Sequence, residues 1–278
     1  MTQVAKENNV SVTTVLRILN DFTYGIDQLP TILGIDEFKG NSESEKYQLI
    51  LTNIEEHKIF DILPNRKEIT LVEYFKSFPL REREKVKFVT MDLWKPYKNI
   101  VKTYLPNAKV IADKYHYIRL VTFALEKVRT RIQRNMTKDM RKYYKRSKSI
   151  LRKKYKDLTP LQKKELEIML LYNDDLRIAY LIKEEFYRIL QIDNLSLKRK
   201  AFKELISWMF NSYIPEFIEV AKTFFNWQNE IINSFANPTL SNGITEGFNN
   251  KIKVIKRISY GIRNFKRFRN RILLATNH

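Results

Sequence analysis

Four acidic residues occupy positions where a carboxylate could hold a metal ion. Asp36, Asp92 and Asp113 each follow directly on a short apolar run that predicts a β-strand, and Glu246 opens a helix-like stretch just after Gly243. Because rigid strands fix the backbone beside them, such carboxylates can converge at one edge of a sheet. Carboxylate oxygens are the hard ligands that Mg²⁺ prefers. Two such ions, about 4 Å apart, can activate a water or a 3′-hydroxyl and stabilise the leaving oxygen of a phosphodiester.

Each of these acids also has an ordinary structural interpretation. Acids after strands often form turns or cap helices. An acid in a first helical turn, as predicted for Glu246, complements the helix dipole. His116 lies close to Asp113 in the sequence, but a lone histidine is more often a structural or surface residue than a ligand. The pattern alone leaves both interpretations open.

The charge of the chain indicates an anionic partner. Its 278 residues include 51 Lys and Arg against 31 Asp and Glu, which gives a net charge of +20 and an isoelectric point near 9.8. Phosphate backbones are the usual partner of so basic a globular protein, although a ribosomal or membrane-surface protein could share this balance. Residues 127–156 hold 14 basic residues and one acid, and nine basic residues follow Glu246 with no acid.

Several classes of protein are excluded by what the sequence lacks. Cysteine is absent, which excludes disulfides and thiolate-based zinc sites within the chain and fits a reducing compartment. The first residues lack the apolar run of a signal peptide, and no window approaches the roughly 18 apolar residues of a membrane span. We therefore expect a soluble intracellular protein with no membrane partner.

The elements that must position the acids alternate between strands and helices. Apolar runs at 31–35, 47–51 and 58–63 predict three adjacent antiparallel strands. A helix at 67–78, a strand at 86–91, a helix at 96–105 and a strand at 109–112 follow. The order β-β-β-α-β-α-β is that of a ribonuclease H-like core.

The remaining segments are predicted to be helical. Apolar stripes at 174–191, 196–211 and 214–233 indicate a helical core between residues 114 and 237. Residues 1–20 predict a short helical piece in which Ser11 caps the second helix. This piece is similar to the end of a helix-turn-helix, and a short amphipathic helix packed on the main domain explains it equally well. The stripe residues expected in the core include Leu205, Trp208, Met209, Phe224, Trp227 and Ile231.

A series of motifs, taken together and in order, resembles the DDE transposases of the ISL-three insertion-sequence family. These motifs are GIDEF (34–38), VTMDLWKPY (89–97), LPNAK (105–109), ADKYH (112–116), NGITEGFNNKIK (242–253), KR (256–257) and YGIRNF (260–265). The resemblance runs over residues 32–275, and the segment 242–253 is its most specific part.

The resemblance implies an α/β fold with a ribonuclease H-like core, a mixed five-stranded sheet with helices interrupted by a large all-helical insertion. It implies that Asp36, Asp92 and Glu246 form the DDE triad and hold two divalent ions, Mg²⁺ with Mn²⁺ as a substitute. The first two acids are 56 residues apart and the last two 154, which leaves room for the insertion. Asp113 and His116 are expected to support the site.

The resemblance also implies a division of the chain and a reaction. The expected segments are a partial helix-turn-helix at 1–25, the first part of the catalytic core at 30–113, the insertion at 114–237, and the last core helices with the basic tail at 238–278. The reaction is metal-dependent phosphodiester cleavage followed by strand transfer, which moves an insertion sequence. We expect the chain to act as a homodimer or larger assembly on insertion-sequence ends and target DNA, in a prokaryotic cytoplasm at the nucleoid.

Two further expectations concern DNA contacts. Trp94 could wedge against DNA, but a core tryptophan is the favoured interpretation. The basic tail is expected to neutralise DNA phosphates. The candidate DNA-binding residues are Lys251, Lys253, Lys256, Arg257, Arg263, Lys266, Arg267 and Arg269.

The chain departs from the family pattern at its N-terminus. Relatives carry an N-terminal cysteine-based zinc module and a fuller helix-turn-helix, so we expect a truncated reading frame or a fragment. Two alternatives remain open from the sequence. One is a non-catalytic DNA-binding remnant that acts as a repressor, and the other is a metal-dependent nuclease of the same fold that cleaves without joining.

Overall fold

A computed structural model of the chain describes residues 2–26, 28–40, 45–146, 148–259 and 261–277. Met1, in the predicted N-terminal segment, and Tyr260, in the YGIRNF motif, lie outside these residues. The chain forms two compact units. The first comprises Met1–Asp113 with Thr239–His278, and the second comprises Lys114–Pro238.

The first unit is built on a mixed five-stranded sheet in the order β3-β2-β1-β4-β5. Its strands are β1 (Ile32–Lys39), β2 (Tyr47–Asn53), β3 (Lys58–Leu63), β4 (Phe88–Met91) and β5 (Lys109–Ala112). β1, β2 and β3 pair antiparallel, whereas β4 and β5 run parallel to β1. The parallel strands need crossovers, and helices supply them. All five predicted strands are thereby confirmed.

In the part of the first unit that the structure describes, seven helices accompany this sheet. They are α1 (Thr2–Glu7), α2 (Val12–Asp21), α3 (Glu68–Lys76), α4 (Leu80–Arg83), α5 (Lys95–Tyr104), α14 (Gly243–Ile258) and α15 (Phe265–Thr276). Ser11 caps α2 as predicted, since its side chain accepts the N–H of Thr14 at 2.9 Å. α2 packs on α15, where the buried Asn270 donates to the Leu19 carbonyl.

One face of the sheet is covered by α14 and α15. Phe38 and Ile50 from the strands meet Phe248 and Ile252 of α14 and Phe268 of α15 in one buried apolar cluster. Side chains alternate between the two faces of a strand. The face that carries Phe38 therefore also carries residues 34 and 36 of β1, which brings Asp36 to the side of α14.

The second unit is entirely helical. Its helices are α6 (Lys114–Gln133), α7 (Lys138–Arg146), α8 (Lys148–Arg152), α9 (Pro160–Tyr172), α10 (Asp174–Leu190), α11 (Leu195–Phe210), α12 (Pro215–Asn226) and α13 (Gln228–Ala236), with a short 3-10 turn at Tyr155–Asp157. Aromatic rings join α6, α10, α11, α12 and α13, with centroids 5.3 to 6.3 Å apart. Among the described residues, none of the helices combines the length and apolar character of a bilayer span.

Two predictions for this unit are wrong. The single helix expected at 214–233 is two helices, because Trp227 leaves the helical conformation (φ −113°, ψ 17°) between α12 and α13. The apolar periodicity hid the break, since Trp227 and Ile231 are both buried beside it. Trp208 was expected in the core but is 37% exposed, whereas its neighbours Leu205 and Met209 are buried as predicted.

A fully buried lysine holds α10 against the end of α8. The Lys183 ammonium donates to the carbonyls of Leu151, at 3.0 Å, and Lys153, and pairs with Glu184 at 2.7 Å. It also lies 3.9 Å from the centroid of the Tyr180 ring. Burial lowers the pKa of Lys183, and these contacts oppose that effect.

We predict that Lys183→Met lowers the free energy of unfolding by about 2–4 kcal/mol, because two buried carbonyls lose their donor and Glu184 loses its partner. Urea denaturation followed by circular dichroism measures this. The matched control is Lys200→Met on α11, whose side chain is 75% exposed, and it should change the stability by less than about 0.5 kcal/mol. Equal effects of the two substitutions would contradict a stabilising role for Lys183.

Candidate metal centre

Three aspartates lie at one level on three neighbouring strands. The parallel pairing of β1, β4 and β5 ends at a common level, and the next residue along each strand is Asp36, Asp92 or Asp113 respectively. The Asp113 N–H donates to the Met91 carbonyl at 2.9 Å, which continues the ladder by one residue. Carboxylate oxygens of Asp92 and Asp113 lie within 4.8 Å of each other. Asp36, Asp92 and Asp113 therefore make this end of the parallel pairing strongly acidic, and we call it the acidic edge.

The expectation that Asp36 follows the end of its strand is wrong. β1 continues to Lys39, because its antiparallel pairing with β2 extends to Lys39 opposite Tyr47. The apolar run stops at Ile35, where the parallel partner β4 stops, but the other neighbour keeps the backbone extended. Asp36 therefore has a hydrogen-bonded strand on one side and the end of a strand on the other.

The carboxylate of Asp36 is oriented by two donors. Its Oδ1 accepts the backbone N–H of Glu37 at 2.7 Å, and its Oδ2 accepts the side-chain amide of Asn249 at 2.8 Å. Asn249 is buried on α14, one turn after Glu246. The helix that carries the predicted third acid thus reaches the predicted first acid directly.

A single buried asparagine joins the start of α14 to all three parallel strands. The side-chain amide of Asn242 donates to the Ile35 carbonyl at 3.0 Å, and its backbone N–H donates to Asp113 Oδ1 at 3.0 Å. Its Oδ1 accepts the hydroxyl of the buried Thr90 at 2.9 Å. Asn242 immediately precedes the first residue of α14, so these bonds fix where the helix begins.

The first turn of α14 lies close on the sheet. Thr245 is fully buried, and its hydroxyl lies 2.7 Å from that of Thr52 on β2. A Cβ at Gly34 would lie 2.2 Å from the Thr52 hydroxyl and 2.8 Å from the Thr245 hydroxyl. Only glycine allows this close approach of α14 to the sheet. The GIDEF motif therefore supplies both the glycine that makes room for α14 and the acid Asp36.

Glu246 follows Thr245 in this first turn and is exposed. Its backbone N–H donates to the Asn242 carbonyl at 2.9 Å. Within the described ranges, Asp36, Asp92 and Glu246 do not form a group whose ligand atoms all lie within 4.8 Å of one another. A two-ion site is wider than that, because its ions are themselves about 4 Å apart. An all-carboxylate set at a sheet edge suits hard divalent cations.

The two residues expected to support the site occupy different units. Asp113 is 4% exposed and accepts the Asn242 N–H, so its carboxylate contributes to fixing α14. His116 lies in the first turn of α6, in the second unit, where it is half-buried and its ring stands edge-on to Tyr115 at 5.7 Å.

Glu37, the acid next to Asp36, is engaged on the opposite face of the sheet. Tyr97 donates its hydroxyl to Glu37 at 2.7 Å, and Arg66 pairs with Glu37 at 2.9 Å. Burial and the Glu37 carboxylate raise the pKa of Tyr97 well above its usual range. Glu37 therefore belongs to a structural network, although it neighbours the predicted ligand.

The eight candidate DNA-binding residues fall into two groups. Three have their charged groups bonded within the first unit: Lys256 donates to the carbonyls of Lys39 and Gly40, Arg267 donates to Asn20, and Arg269 pairs with Asp61. The other five are exposed to solvent, namely Lys251, Lys253, Arg257, Arg263 and Lys266. Of these, Lys253 also donates to the exposed Asn250 at 3.0 Å.

Sequence reasoning did not single out Asn242, Thr245 and Asn249 as functional residues. They lie in the motif 242–253 with spacings of three and four residues, which is the period of one helix face. That spacing around Glu246 was the available signal, because residues on one face of a helix meet the same surface.

Known proteins similar to this chain are transposases over most of its length. A family model described as "Transposase", for the DDE transposases of the ISL-three group, matches residues 33–272. The transposase for insertion sequence element IS1001 of Bordetella parapertussis is 24% identical over 239 residues, which cover 85% of this chain and 58% of that protein. The transposase for insertion sequence element IS1557 of Mycobacterium tuberculosis is 24% identical over 274 residues, 90% of this chain and 61% of that protein.

The matches differ in how much of each relative they cover. This chain spans about three-fifths of the length of those two transposases. A shorter match, 35% identical over 101 residues, joins 36% of this chain to 30% of a Lactococcus lactis subsp. lactis protein named ATP-dependent protease. No solved structure matches the chain.

The family match covers most of the chain and includes Asp36, Asp92 and Glu246. It also contains β4, β5, the whole of α14 and all of β1 except Ile32. The chain therefore belongs to the DDE transposase family of ISL-three insertion sequences.

Proposed function

We propose that this chain is the catalytic region of a DNA transposase that uses two divalent metal ions to hydrolyse phosphodiester bonds at the ends of an insertion sequence. The freed 3′-hydroxyl then attacks a phosphodiester of the target DNA and displaces the target's own 3′-oxygen, which joins the two strands. The observation that carries the proposal is the direct link between the acidic edge and α14. Asp36 and Asp92 lie at one level of the sheet, and Asn249 binds Asp36 from the helix that presents Glu246.

We assign the fold as ribonuclease H-like with a helical insertion. The strand order β3-β2-β1-β4-β5, with only β2 antiparallel to both of its neighbours, supports this assignment. So does the position of the all-helical unit, which leaves the first unit after Asp113 and returns at Thr239. The last predicted acid then follows the insertion.

The proposed roles follow from where each carboxylate lies. Asp36, between the other two elements, would contribute to holding both ions, and Asp92 and Glu246 would each help to hold one. When bound, Mg²⁺ or Mn²⁺ supplies a Lewis acid that activates the attacking oxygen and stabilises the leaving one. Asn249 keeps Asp36 turned toward α14, and Asp113 holds the start of that helix through Asn242. No side chain has to form a covalent bond to DNA.

The proposed substrate is DNA, both the insertion-sequence ends and the target. The names of the two transposases above refer to insertion sequence elements, and the net charge of +20 suits a polyphosphate. We propose that the five exposed tail residues contact phosphates, and that two or more copies of the chain assemble on DNA. A repressor remnant or a nuclease that cannot join strands is distinguished by the first experiment below.

We predict that Asp36→Asn, Asp92→Asn and Glu246→Gln each lower metal-dependent nicking of supercoiled plasmid by at least about 1,000-fold. Each substitution removes a charged ligand at constant size. Nicking and joining are scored on gels with Mg²⁺ or Mn²⁺, with the element's own ends supplied. Glu204→Gln on α11, whose side chain is 65% exposed, is the matched control and should leave both unchanged.

The outcomes separate the alternatives. Loss of cutting in the three variants, with DNA binding kept, supports the proposed site. A wild-type chain that binds DNA and never cuts indicates the repressor remnant, and cutting without joining indicates the nuclease. If the three variants cut as well as the wild type, the assignment of the acids is wrong.

We predict that Asn249→Ala raises the Mg²⁺ concentration needed for half-maximal cutting by about 10- to 100-fold, because Asp36 loses the amide that orients it. The control is Asn250→Ala, the exposed neighbour on α14, whose amide oxygen accepts from Lys253. Titration of Mg²⁺ in the nicking assay measures the effect, and an unchanged midpoint for Asn249→Ala would remove Asn249 from the site.

We predict that replacing Lys251, Lys253 and Arg257 together by Ala reduces the slope of log K against log [salt] for duplex binding by about 2 to 3, since each lost phosphate contact removes about 0.9. Fluorescence anisotropy from 50 to 200 mM salt measures the slope. The control carries the same charge change on α11, at the exposed Arg199, Lys200 and Lys203. Equal slopes for the two triple variants would mean that α14 makes no dedicated contacts.

A further inference from the structure

Trp94 is exposed beside the acidic edge of the sheet. Its side chain is 52% exposed, although it was expected in the core. That expectation is wrong because Trp94 directly precedes α5, where the chain turns out of the end of β4. The residue stands two positions after Asp92, and its N–H donates to the Asp92 carbonyl at 2.7 Å.

The position of Trp94 is fixed by backbone bonds. The Lys98 N–H donates to the Trp94 carbonyl at 3.3 Å as part of the first turn of α5, and the Trp94 side chain caps no group of that helix. Half-exposure of so large an apolar ring costs hydrophobic free energy that burial would recover. The fold thus holds an aromatic surface at the site without using the whole of it for packing.

The surroundings of this ring match nucleic acid better than a protein partner. Lys95 is exposed next to it, at the start of α5, where the helix dipole also favours a phosphate. The Asp92 carboxylate of the candidate metal centre lies two residues before it in the chain. An aromatic face combined with a cation is how proteins hold unpaired nucleotides, since every base presents a π-face that can stack.

We propose that Trp94 stacks on an unpaired base of the DNA end beside the scissile phosphate, and so selects DNA whose end is frayed over fully paired duplex. The proposal rests on the proposed function, because it takes the acidic edge as the place of cleavage. Stacking on Trp94 requires that at least one nucleotide of the bound DNA end is unpaired at that site. Trp94 acts by positioning DNA, and no proton or bond change is assigned to it.

The test measures binding in EDTA, without metal and without cleavage. The full chain is titrated into a fluorescent duplex with a three-nucleotide unpaired end and into the same duplex with a blunt end. Trp94→Ala should weaken binding to the unpaired end about tenfold and to the blunt end less than twofold, and Trp94→Phe should recover most of the loss. The matched control is Trp208→Ala, a partly exposed tryptophan on α11 in the other unit.

A second readout separates stacking from a structural role. A 2-aminopurine placed in the unpaired end should be quenched by the wild type, Trp94→Phe and Trp208→Ala, but not by Trp94→Ala. Equal binding and equal quenching by Trp94→Ala would overturn the proposal, as would equal weakening on both DNAs. Because the assay contains no metal, stacking can be observed even if the chain never cuts DNA. A chain that cuts DNA, but whose binding and quenching are the same with Trp94→Ala, would refute this inference and leave the proposed function standing.

Discussion

The start of α14 depends on one buried residue, Asn242. Three of its hydrogen bonds reach the backbone of β1, a hydroxyl on β4 and the carboxylate that follows β5. Inside the protein each of these groups would cost about 1–3 kcal/mol if left unpaired. The helix therefore has one favourable registration on the sheet, and the positions of Thr245, Glu246 and Asn249 follow from it.

The position of α14 on the sheet also determines how the repulsion between the carboxylates of the acidic edge is offset. Three aspartates at the same level of adjacent strands repel one another. The structure offsets part of that cost with neutral donors, namely the Glu37 and Asn242 N–H groups and the Asn249 amide. Neutral donors stabilise a carboxylate without filling the place of a cation. These donors therefore fix the side chains at the edge without adding positive charge.

The sequence predicted the elements well where periodicity and turn residues agree. The five strands and the helices α3 and α5 between them were predicted, because apolar runs and the acids that end them are local signals, whereas the short α4 was not predicted. Asp36 was placed at a strand end since the apolar run stops there; the antiparallel neighbour that extends β1 to Lys39 is a long-range fact. The predicted stripe at 214–233, which contains Trp227, ran through a helix break, and the stripe at 196–211 did not indicate that Trp208 is partly exposed. Periodicity does not report which neighbours a helix face meets.

The candidate site was predictable in its acids and less so in its supports. Asp36, Asp92 and Glu246 could be named from strand ends and from family resemblance, and their roles remain predictions. Asn242 and Asn249 act across more than 200 residues of sequence on the backbone of Ile35 and on Asp36, and no local pattern reports such a pairing. The exposure of Trp94 was missed because a tryptophan in an apolar context is usually core.

The bond between Asp113 and Asn242 closes a loop of 129 residues. Closing a flexible loop of that length costs about 4 kcal/mol in chain entropy, and folding of the helical unit reduces this cost because it brings its own two ends into a compact body. During synthesis on a ribosome the aspartates therefore emerge long before the helix that completes their surroundings. The nascent chain carries an incomplete set of acids until α14 has been translated, which delays assembly of the proposed cutting centre until the helical unit has been made.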